Sequence, residues 1–525
     1  MKHVGFVVDK GLEKQNIKVG DDLVPFGPDL LFQPVENNKV KIGIEICEDL
    51  WAVKPPSSDL ALAGANLILN LSASNAVIGK AAYRKSLILQ QSARTLSSYV
   101  YISVGGTESS TDTVYSGYGL IAECGAAISE ITDVSLNDAY SICDVDLNKS
   151  QFDRSKSVSF KNTPFDLNFR EITFNWPASR SKTKRNFKRN VDANPFIPKN
   201  KSKLYDVCDE IINIQAVGLA KRLSHVNKKR AIIGLSGGLD STLAALVILE
   251  SFKLLKNNKL ELMAVTMPGF GSSTRTKNNA IELADKLGAK LLQVDITQAV
   301  SQHLENIGAD ENTKNITFEN SQARERTQIL FDYANEQDGI LIGTGDLSES
   351  ALGWCTFAGD HISSYHVNIG VPKTLVKYVI DWYSNHRADK SLKFILDDIL
   401  NTPISPELLP LGQNDEIIQR TEDLIGKYEI HDFFLYNFIR YGYEPEKIHL
   451  LAMTAFGDRY SNLQILETME IFFRRFFANQ FKRSCCPDGP KIGSVALSPR
   501  SDWRMPSDAS ANLWLNALKK IALDL

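Results

Sequence analysis

The chain has 525 residues, room for two to four domains at roughly 100–200 residues each. Hydrophobic residues make up 43% and the formal net charge is −3, so sizeable cores are expected and a general attraction to nucleic acid is not. No apolar run approaches ~18–20 residues, so no membrane-spanning helix is expected. Seven irregularly spaced cysteines without a secretory leader predict reduced thiols in a cytoplasmic setting.

Residues 1–8 read as a short strand. Residues 40–46, VKIGIEI, alternate well enough for a buried strand, which ends at Cys47-Glu48-Asp49-Leu50-Trp51. A cysteine in the turn after a strand gains partial exposure and nearby backbone N–H groups, the setting of a nucleophile beside an oxyanion site. An isolated cysteine is more often a small buried hydrophobe. Glu45 lies two positions before Cys47, on the same face of an extended strand, and Glu48 is adjacent, so either could approach the thiol. Further strands are predicted at 65–74 and 99–104, a helix at 79–97, and a hairpin from 116–122 and 126–131. Residues 175–200 are polar and basic, with Arg180, Lys182, Lys184, Arg185, Lys188, Arg189 and Lys199. Sparse aromatics favour a solvated connector over a nucleic-acid or membrane patch.

A helix is predicted at 204–223. Then Ala231-Ile232-Ile233 reads as a strand, Gly234-Leu235-Ser236-Gly237-Gly238 as a glycine-rich turn, and Asp240-Ser241-Thr242 leads into a helix at 243–250. Strand, glycine turn and helix make a phosphate cradle: the backbone can approach the oxygens, and the first helical N–H groups point at the anion. No Gly-Lys-Ser/Thr closes the loop, so it is not of the Walker type. A strand at 262–267 ends in MPGFG, a helix follows at 275–287, and a strand at 290–294 leads to Asp295. This alternation predicts a parallel, doubly wound sheet with ligands at the carboxyl ends of its strands. Residues 318–330, FENSQARERTQIL, form a polar helix, read as a solvated face. A strand at 340–342 ends in Gly343-Thr344-Gly345-Asp346-Leu347-Ser348-Glu349, and carboxylates in the same layer as a phosphate loop suit Mg²⁺. Trp354 and Phe357 could stack on a heteroaromatic ring, although isolated aromatics more often pack in a core. The remainder from 403 reads as mostly helical. Its aromatic-rich stretches at 428–436 and 467–481 are expected to pack against the sheet or a partner subunit.

The string at 236–241, SGGLDS, resembles the pyrophosphate loop of the ATP-pyrophosphatase superfamily, whose members split ATP between its α and β phosphates to activate a carbonyl. LSGGLDS, MPGFG, ENSQARERTQIL, GTGDLSESALGW, GDHISSYHVN, VPKTLV, TPISPELLP, YEIHDFFLY and SPRSDWRMPSDA together resemble the synthetase domain of the NAD synthetases, in order and over nearly all of 201–525. In the front part, ICEDLW, NLSAS and QQSAR resemble the nitrilase-type glutaminase domain of the glutamine-dependent members. The resemblance implies an α/β protein. It divides into an incomplete nitrilase-like αββα sandwich over 1–178, a linker over 179–200, and over 201–525 a doubly wound parallel sheet with a helical C-terminal region.

The resemblance further implies that Cys47 attacks the amide of glutamine, bound with the help of Ser74 and Lys80, and releases ammonia. ATP would lie on Gly234, Leu235, Ser236, Gly237, Gly238, Leu239, Asp240 and Ser241, its base near Thr266 and Met267, with Thr344 also touching the nucleotide. Asp240 and Glu349 would hold Mg²⁺. Deamido-NAD (nicotinic acid adenine dinucleotide) would bind Asn320, Glu349, Trp354, Thr356 and Lys482, the last supplied by its own or a neighbouring subunit. The nicotinate carboxylate would attack the α-phosphate, and ammonia would displace AMP from the acyl-adenylate. The implied partners are ATP, deamido-NAD, and glutamine or ammonia, in a homo-oligomer joined at least as a dimer through the synthetase domain, with no nucleic acid and no membrane.

One departure stands out. The family's glutaminase uses a Glu base and a Lys that precede the cysteine, and no stretch here matches them. Lys2, Lys10, Glu13 and Lys14 lie outside any such context. A cysteine without a base or a positive neighbour stays mostly a thiol, so weak or absent glutaminase activity is expected. Two readings stay open: a glutamine-dependent NAD synthetase with Cys47 live, and an ammonia-dependent one whose front region is a structural or docking module. Another carboxylate-activating amidotransferase is disfavoured, because MPGFG and GTGDLSE extend beyond the shared glycine string.

Overall fold

The computed structural model describes residues 15–108, 111–132, 136–176, 187–256, 259–271, 273–310, 314–402, 421–500 and 502–523. The strand expected at 1–8, the candidates Lys2, Lys10, Glu13 and Lys14, the basic residues Arg180 to Arg185 of the connector, and TPISPELLP beyond Thr402 lie outside the described residues. The chain forms two compact units, Met1–Asn190 and Val191–Leu525.

In the first unit, β1 (Gln15–Val19) and β2 (Asp22–Phe26) make an antiparallel ribbon. Seven further strands are β3 (Leu30–Pro34), β4 (Ile42–Ile46), β5 (Leu67–Ser72), β6 (Ser98–Ser103), β7 (Gly119–Glu123), β8 (Ala126–Ile131) and β9 (Arg170–Phe174). They form one sheet in the order β8-β7-β6-β5-β4-β3-β9. β4, β5 and β6 run parallel, and such pairs need crossovers. Helices Pro56–Leu62 and Lys80–Arg94 supply them. Side chains alternate across a strand, so Ile68, Tyr99, Tyr101, Leu120 and Ala122 form a core with Leu60 and Ile88 of those helices. At the alternate positions Ile44, Ile46, Leu71 and Ile102 are exposed, so the opposite face of the sheet is open and apolar there.

The second unit holds β10 (Arg230–Gly234), β11 (Glu261–Thr266), β12 (Lys290–Gln293), β13 (Gly339–Gly343) and β14 (Tyr365–His366), all parallel, in the order β12-β11-β10-β13-β14. Both faces are covered, which is why these strands are nearly continuous in apolar residues. Ala231, Ile233, Ala264 and Ile342 pack into one core with helices Lys201–Val226, Leu239–Leu255 and Lys373–His386. Ile232, Met263, Val265 and Leu341 pack into the other with Thr297–Asn306 and Ile316–Glu336. The chain winds from β10 to one side through β11 and to the other through β13. This is the topological switch point, and a crevice opens at the carboxyl ends there.

Helices Tyr428–Tyr441, Pro445–Phe456, Asn462–Ala478 and Asn512–Leu523 form the C-terminal region. They share a core of aromatic rings that includes Phe433, Phe434, Phe438, Phe472 and Phe476. Leu347, Ala351 and Leu352 of the short helix Leu347–Leu352 belong to the same core, so the bundle seats the helix that carries Glu349.

Candidate active site

A cavity of about 750 Å³ opens at the carboxyl ends of β10 and β13, within the usual range for a small-molecule site. The glycine loop forms one wall. Helix Leu239–Leu255 starts at Gly238 with no side chain capping it, so its first-turn N–H groups are available to an anion. Gly237 has φ +82°, and a Cβ there would lie 2.3 Å from the Thr276 carbonyl oxygen. Only glycine allows this path. Ser241 Oγ accepts from Ser236 N at 3.3 Å, and Thr242 Oγ1 donates to Gly238 O at 2.8 Å, which fix the turn. Of the ATP residues expected from sequence, Gly234, Leu235, Ser236, Gly238, Leu239, Asp240, Ser241 and Thr344 line the cavity, and Gly237 is buried behind the loop.

The floor is acidic. Oxygens of Asp240, Asp346 and Glu349 lie within 4.8 Å of one another. Asp346 begins helix Leu347–Leu352 with a capping box: its side chain accepts from Glu349 N at 2.8 Å, and Asp346 N donates to Glu349 Oε2 at 3.3 Å. Lys373 sits among the three. Its Nζ donates to Asp240 Oδ2 at 2.7 Å and Glu349 Oε1 at 2.8 Å, and pairs with Asp346 Oδ2 at 2.7 Å. The lysine side chain is 4% exposed. Burial alone would lower its pKa, but the three carboxylates overcome this and raise it. Burial pushes Glu349 up, reinforced by the charge on Asp346. Asp240 Oδ1 is buried and accepts no hydrogen bond. Hard oxygens with an acceptor to spare, beside an anion cradle, fit Mg²⁺. Asp240 and Glu349 face the cavity, while Asp346 is fully buried behind them.

Neither Lys373 nor the part played by Asp346 followed from the sequence. Helix Ile316–Glu336 brings the expected Asn320 to the site together with residues that were not expected there. Its residues Asn320, Ala323, Arg324 and Thr327, spaced along one face, line the cavity. Part of the polar surface of FENSQARERTQIL faces the site and is not a solvated face. Thr356 Oγ1 donates to Asn320 Oδ1 at 2.8 Å. Trp354 lines the cavity beneath the Arg475 guanidinium, 4.7 Å from its ring centre. Lys482 Nζ donates to Gly353 O at 2.8 Å and Cys355 O at 2.7 Å. It reaches the cavity from its own chain, and no neighbouring subunit is needed to place it.

The C-terminal bundle also braces this floor. Asp432, buried, accepts from Thr374 Oγ1 at 2.6 Å and from the Ser348 hydroxyl. Ser348 Oγ in turn accepts from Lys373 N at 2.8 Å. One carboxylate thus ties together the helices that carry Glu349 and Lys373, and Tyr428 from the same segment lines the cavity. YEIHDFFLY does more than pack.

In the first unit, β4 delivers Cys47 into a 3-10 turn, Cys47–Trp51, with φ +50° at the cysteine. That region is unusual for a residue with a Cβ and is often associated with function. Glu45 does not serve the thiol. Its carboxylate accepts from Ser57 N at 2.8 Å, from Asn70 Nδ2 at 3.4 Å and from the Tyr99 hydroxyl. Lys80 is close enough to Cys47 and Glu48 for both to act on its charge, and it lies 5.4 Å from the centre of the Trp51 ring. The thiol is therefore not without a positive neighbour, contrary to expectation. Ser74 Oγ accepts from buried Arg84 at 3.2 Å.

A doubly wound sheet with an anion cradle at its switch point and carboxylates beside it defines an α/β enzyme built to handle a phosphorylated nucleotide. The family model for NAD synthase matches residues 211–474. The chain is 37% identical to the glutamine-dependent NAD(+) synthetase of Mycobacterium leprae and 38% identical to that of Mycobacterium tuberculosis, in each case over 97% of this chain and 78% of the relative. A crystal structure of a glutamine-dependent NAD(+) synthetase from Cytophaga hutchinsonii shares the fold, with a TM-score of 0.50 at 21% identity, over 97% of this chain and 77% of that one. The chain belongs to the glutamine-dependent NAD(+) synthetases.

Proposed function

We propose that this enzyme amidates deamido-NAD to NAD, consuming ATP and releasing AMP and pyrophosphate, with nitrogen drawn from glutamine. The observation that carries the reading is the single cavity lined both by the glycine loop and by Asn320, Glu349, Trp354, Thr356 and Lys482. A carboxylate is a poor electrophile, and adenylation removes its charge and supplies a leaving group. The nicotinate carboxylate oxygen bonds to the α-phosphorus as the bond to pyrophosphate breaks. The loop N–H groups stabilise the departing pyrophosphate. Mg²⁺, on Asp240 and Glu349, would neutralise phosphate charge when bound. Ammonia then adds to the carboxyl carbon, AMP leaves with the C–O electron pair, and nitrogen gives up one proton to solvent. Positioning dominates the first step, which needs no general base.

The front unit, about 1–178, is read as the glutaminase, with Cys47 as nucleophile, Lys80 and Ser74 beside the glutamine, and a connector reaching to about 200. The M. leprae and M. tuberculosis relatives match 97% of the chain and so extend well into this unit, which favours a catalytic over a purely structural role. Among the described residues no helix is long and apolar enough to cross a membrane. The seven cysteines are free thiols, as suits a reducing cytoplasm. A homodimer or larger assembly follows from the family resemblance, and light scattering measures it.

The test supplies purified chain with ATP, Mg²⁺ and deamido-NAD, and compares ammonia with glutamine. Ammonia is expected to support NAD formation and glutamine to do so more weakly, since no stretch matches the family's Glu base, and Cys47→Ala is expected to abolish only the glutamine use. Glutamine turnover that survives in the variant would reject Cys47 as the nucleophile. Ammonia-supported turnover with none from glutamine, in the native chain and the variant alike, would leave the front unit non-catalytic.

A further inference from the structure

The ladder that pairs β10 with β13 ends at Ile233 and Ile342. Beyond those residues the two segments part around the cavity, with the glycine loop and Asp240 on one side and Thr344, Gly345 and Glu349 on the other. Strand pairing no longer fixes their spacing there, yet that spacing decides where a nucleotide held by both sides will lie. Lys373 joins the two sides through their carboxylates. Asn368 joins their main chains. It is fully buried, and its Nδ2 donates to the main-chain oxygen of Asp240 at 2.9 Å and to that of Thr344 at 3.1 Å. Two carbonyls brought together need a donor between them, and a primary amide carries two N–H groups on one nitrogen. The orientation of this amide is fixed. Its Oδ1 accepts from Gln215 Nε2 at 3.0 Å, and the same nitrogen of Gln215 donates to Val367 O at 2.9 Å. A turned amide would set donor against donor at Gln215 and oxygen against both carbonyls. Gln215 is itself fully buried, on helix Lys201–Val226, so the bracing reaches back into the core.

We propose that Asn368 is a positioning residue for the adenylation step. It clamps the start of the glycine-loop helix to the segment that carries Thr344 and Glu349, at the spacing that MgATP spans. The proposal rests on the adenylation reading given above. Asn368 is not part of the cavity wall, so it acts through Asp240 and Thr344 and not on the substrates. Asn320, Trp354, Thr356 and Lys482, read as holding deamido-NAD, lie outside the clamp. Loss of Asn368 should therefore separate the two substrates: ATP is affected and deamido-NAD is not.

The test uses the full chain. Asn368→Asp keeps the shape of the side chain and puts an oxygen where the two N–H groups were. It is expected to weaken MgATP binding, read by calorimetry, roughly tenfold, the scale of one or two lost hydrogen bonds. Deamido-NAD-dependent exchange of pyrophosphate into ATP should lose roughly 100-fold in kcat, the scale of a small misplacement of reacting groups. The KM for deamido-NAD should stay at its native value. Gln215→Met keeps similar bulk and frees the Asn368 amide to turn, so it should weaken ATP binding and exchange in the same direction by a smaller factor. Native ATP affinity and exchange in folded Asn368→Asp, or a KM for deamido-NAD that rises as far as ATP binding falls, would overturn the proposal. If Asn368→Asp does not fold, Gln215→Met decides, and native ATP affinity and exchange in that variant would overturn it. A native chain that binds MgATP but shows no exchange would overturn the adenylation reading, while the ATP affinities of the variants would still decide the clamp.

Discussion

Lys373→Met is expected to destabilise the ligand-free enzyme by about 3–5 kcal/mol, the scale for removing one partner from a buried ionic cluster. The ammonium is within 2.7–2.8 Å of Asp240, Asp346 and Glu349. Without it, three carboxylates face one another, Asp346 fully buried and Asp240 and Glu349 at the cavity wall. The deficit should depend on pH. Burial pushes Asp346 up to about 7, against the pull of Lys373 and with Asp240 adding to the rise. A carboxyl whose folded pKa lies above its unfolded value of ~3.9 binds its proton more tightly when folded. Its contribution to stability is therefore present below that range and lost as pH rises through about 7. Loss of the lysine raises the carboxyls further. The variant should be most impaired at mildly alkaline pH and nearer the native chain at mildly acidic pH, where protons replace the missing cation. Urea melts in chelating buffer at both values measure this. Added Mg²⁺ should recover more stability in the variant than in the native chain, since the metal then has no ammonium to displace. An equal deficit at both values, with no greater response to Mg²⁺, would remove Lys373 from its place as counter-ion.

Gly237→Ala is expected to reduce kcat/KM for ATP by roughly 100-fold or more, the scale on which losing a preorganised donor acts. The methyl would meet the Thr276 carbonyl oxygen at 2.3 Å and Ala280 N at 3.1 Å. Both are main-chain atoms of one helix and cannot turn aside, so the loop itself must move. The left-handed φ of +82° adds strain. The N–H groups that face the pyrophosphate then lose their aim. Gly493→Ala is the control: nothing lies within 4 Å of the added carbon. It should leave ATP kinetics as they are. A Gly237→Ala enzyme with native KM and kcat would show that the loop does not cradle the nucleotide.

Local features of this site were legible in the sequence. The apolar triplet Ala231-Ile232-Ile233, the glycine turn and the helix that follows are all specified by neighbours, and they fold as read. Asp346 and Glu349, three residues apart, form a capping box that the sequence reading did not draw, although its spacing is local. Lys373 was not legible. Its partners are 133 and 24 residues distant in the chain, and a lysine this buried runs against the habit of its type. Asp432 was hidden for the same reason, being 84 residues from Ser348. The polar side of Ile316–Glu336 looked solvated because spacing alone does not distinguish a wet surface from a cavity wall. In the first unit, β4 to β8 were readable from alternation and turns. β9 joins the edge beside β3 across some 140 residues, a pairing that no local pattern announces.

The central claim is that the carboxylate of deamido-NAD is adenylated in the cavity at the end of β10. The most direct measurement uses deamido-NAD with ¹⁸O in its nicotinate carboxylate, turned over with ATP and ammonia, and mass analysis of the AMP. Attack on the α-phosphorus transfers one carboxylate oxygen to the phosphate, so the AMP should carry one ¹⁸O and the pyrophosphate none. Label in inorganic phosphate with ADP as the other product, or AMP free of label while NAD accumulates, would contradict it.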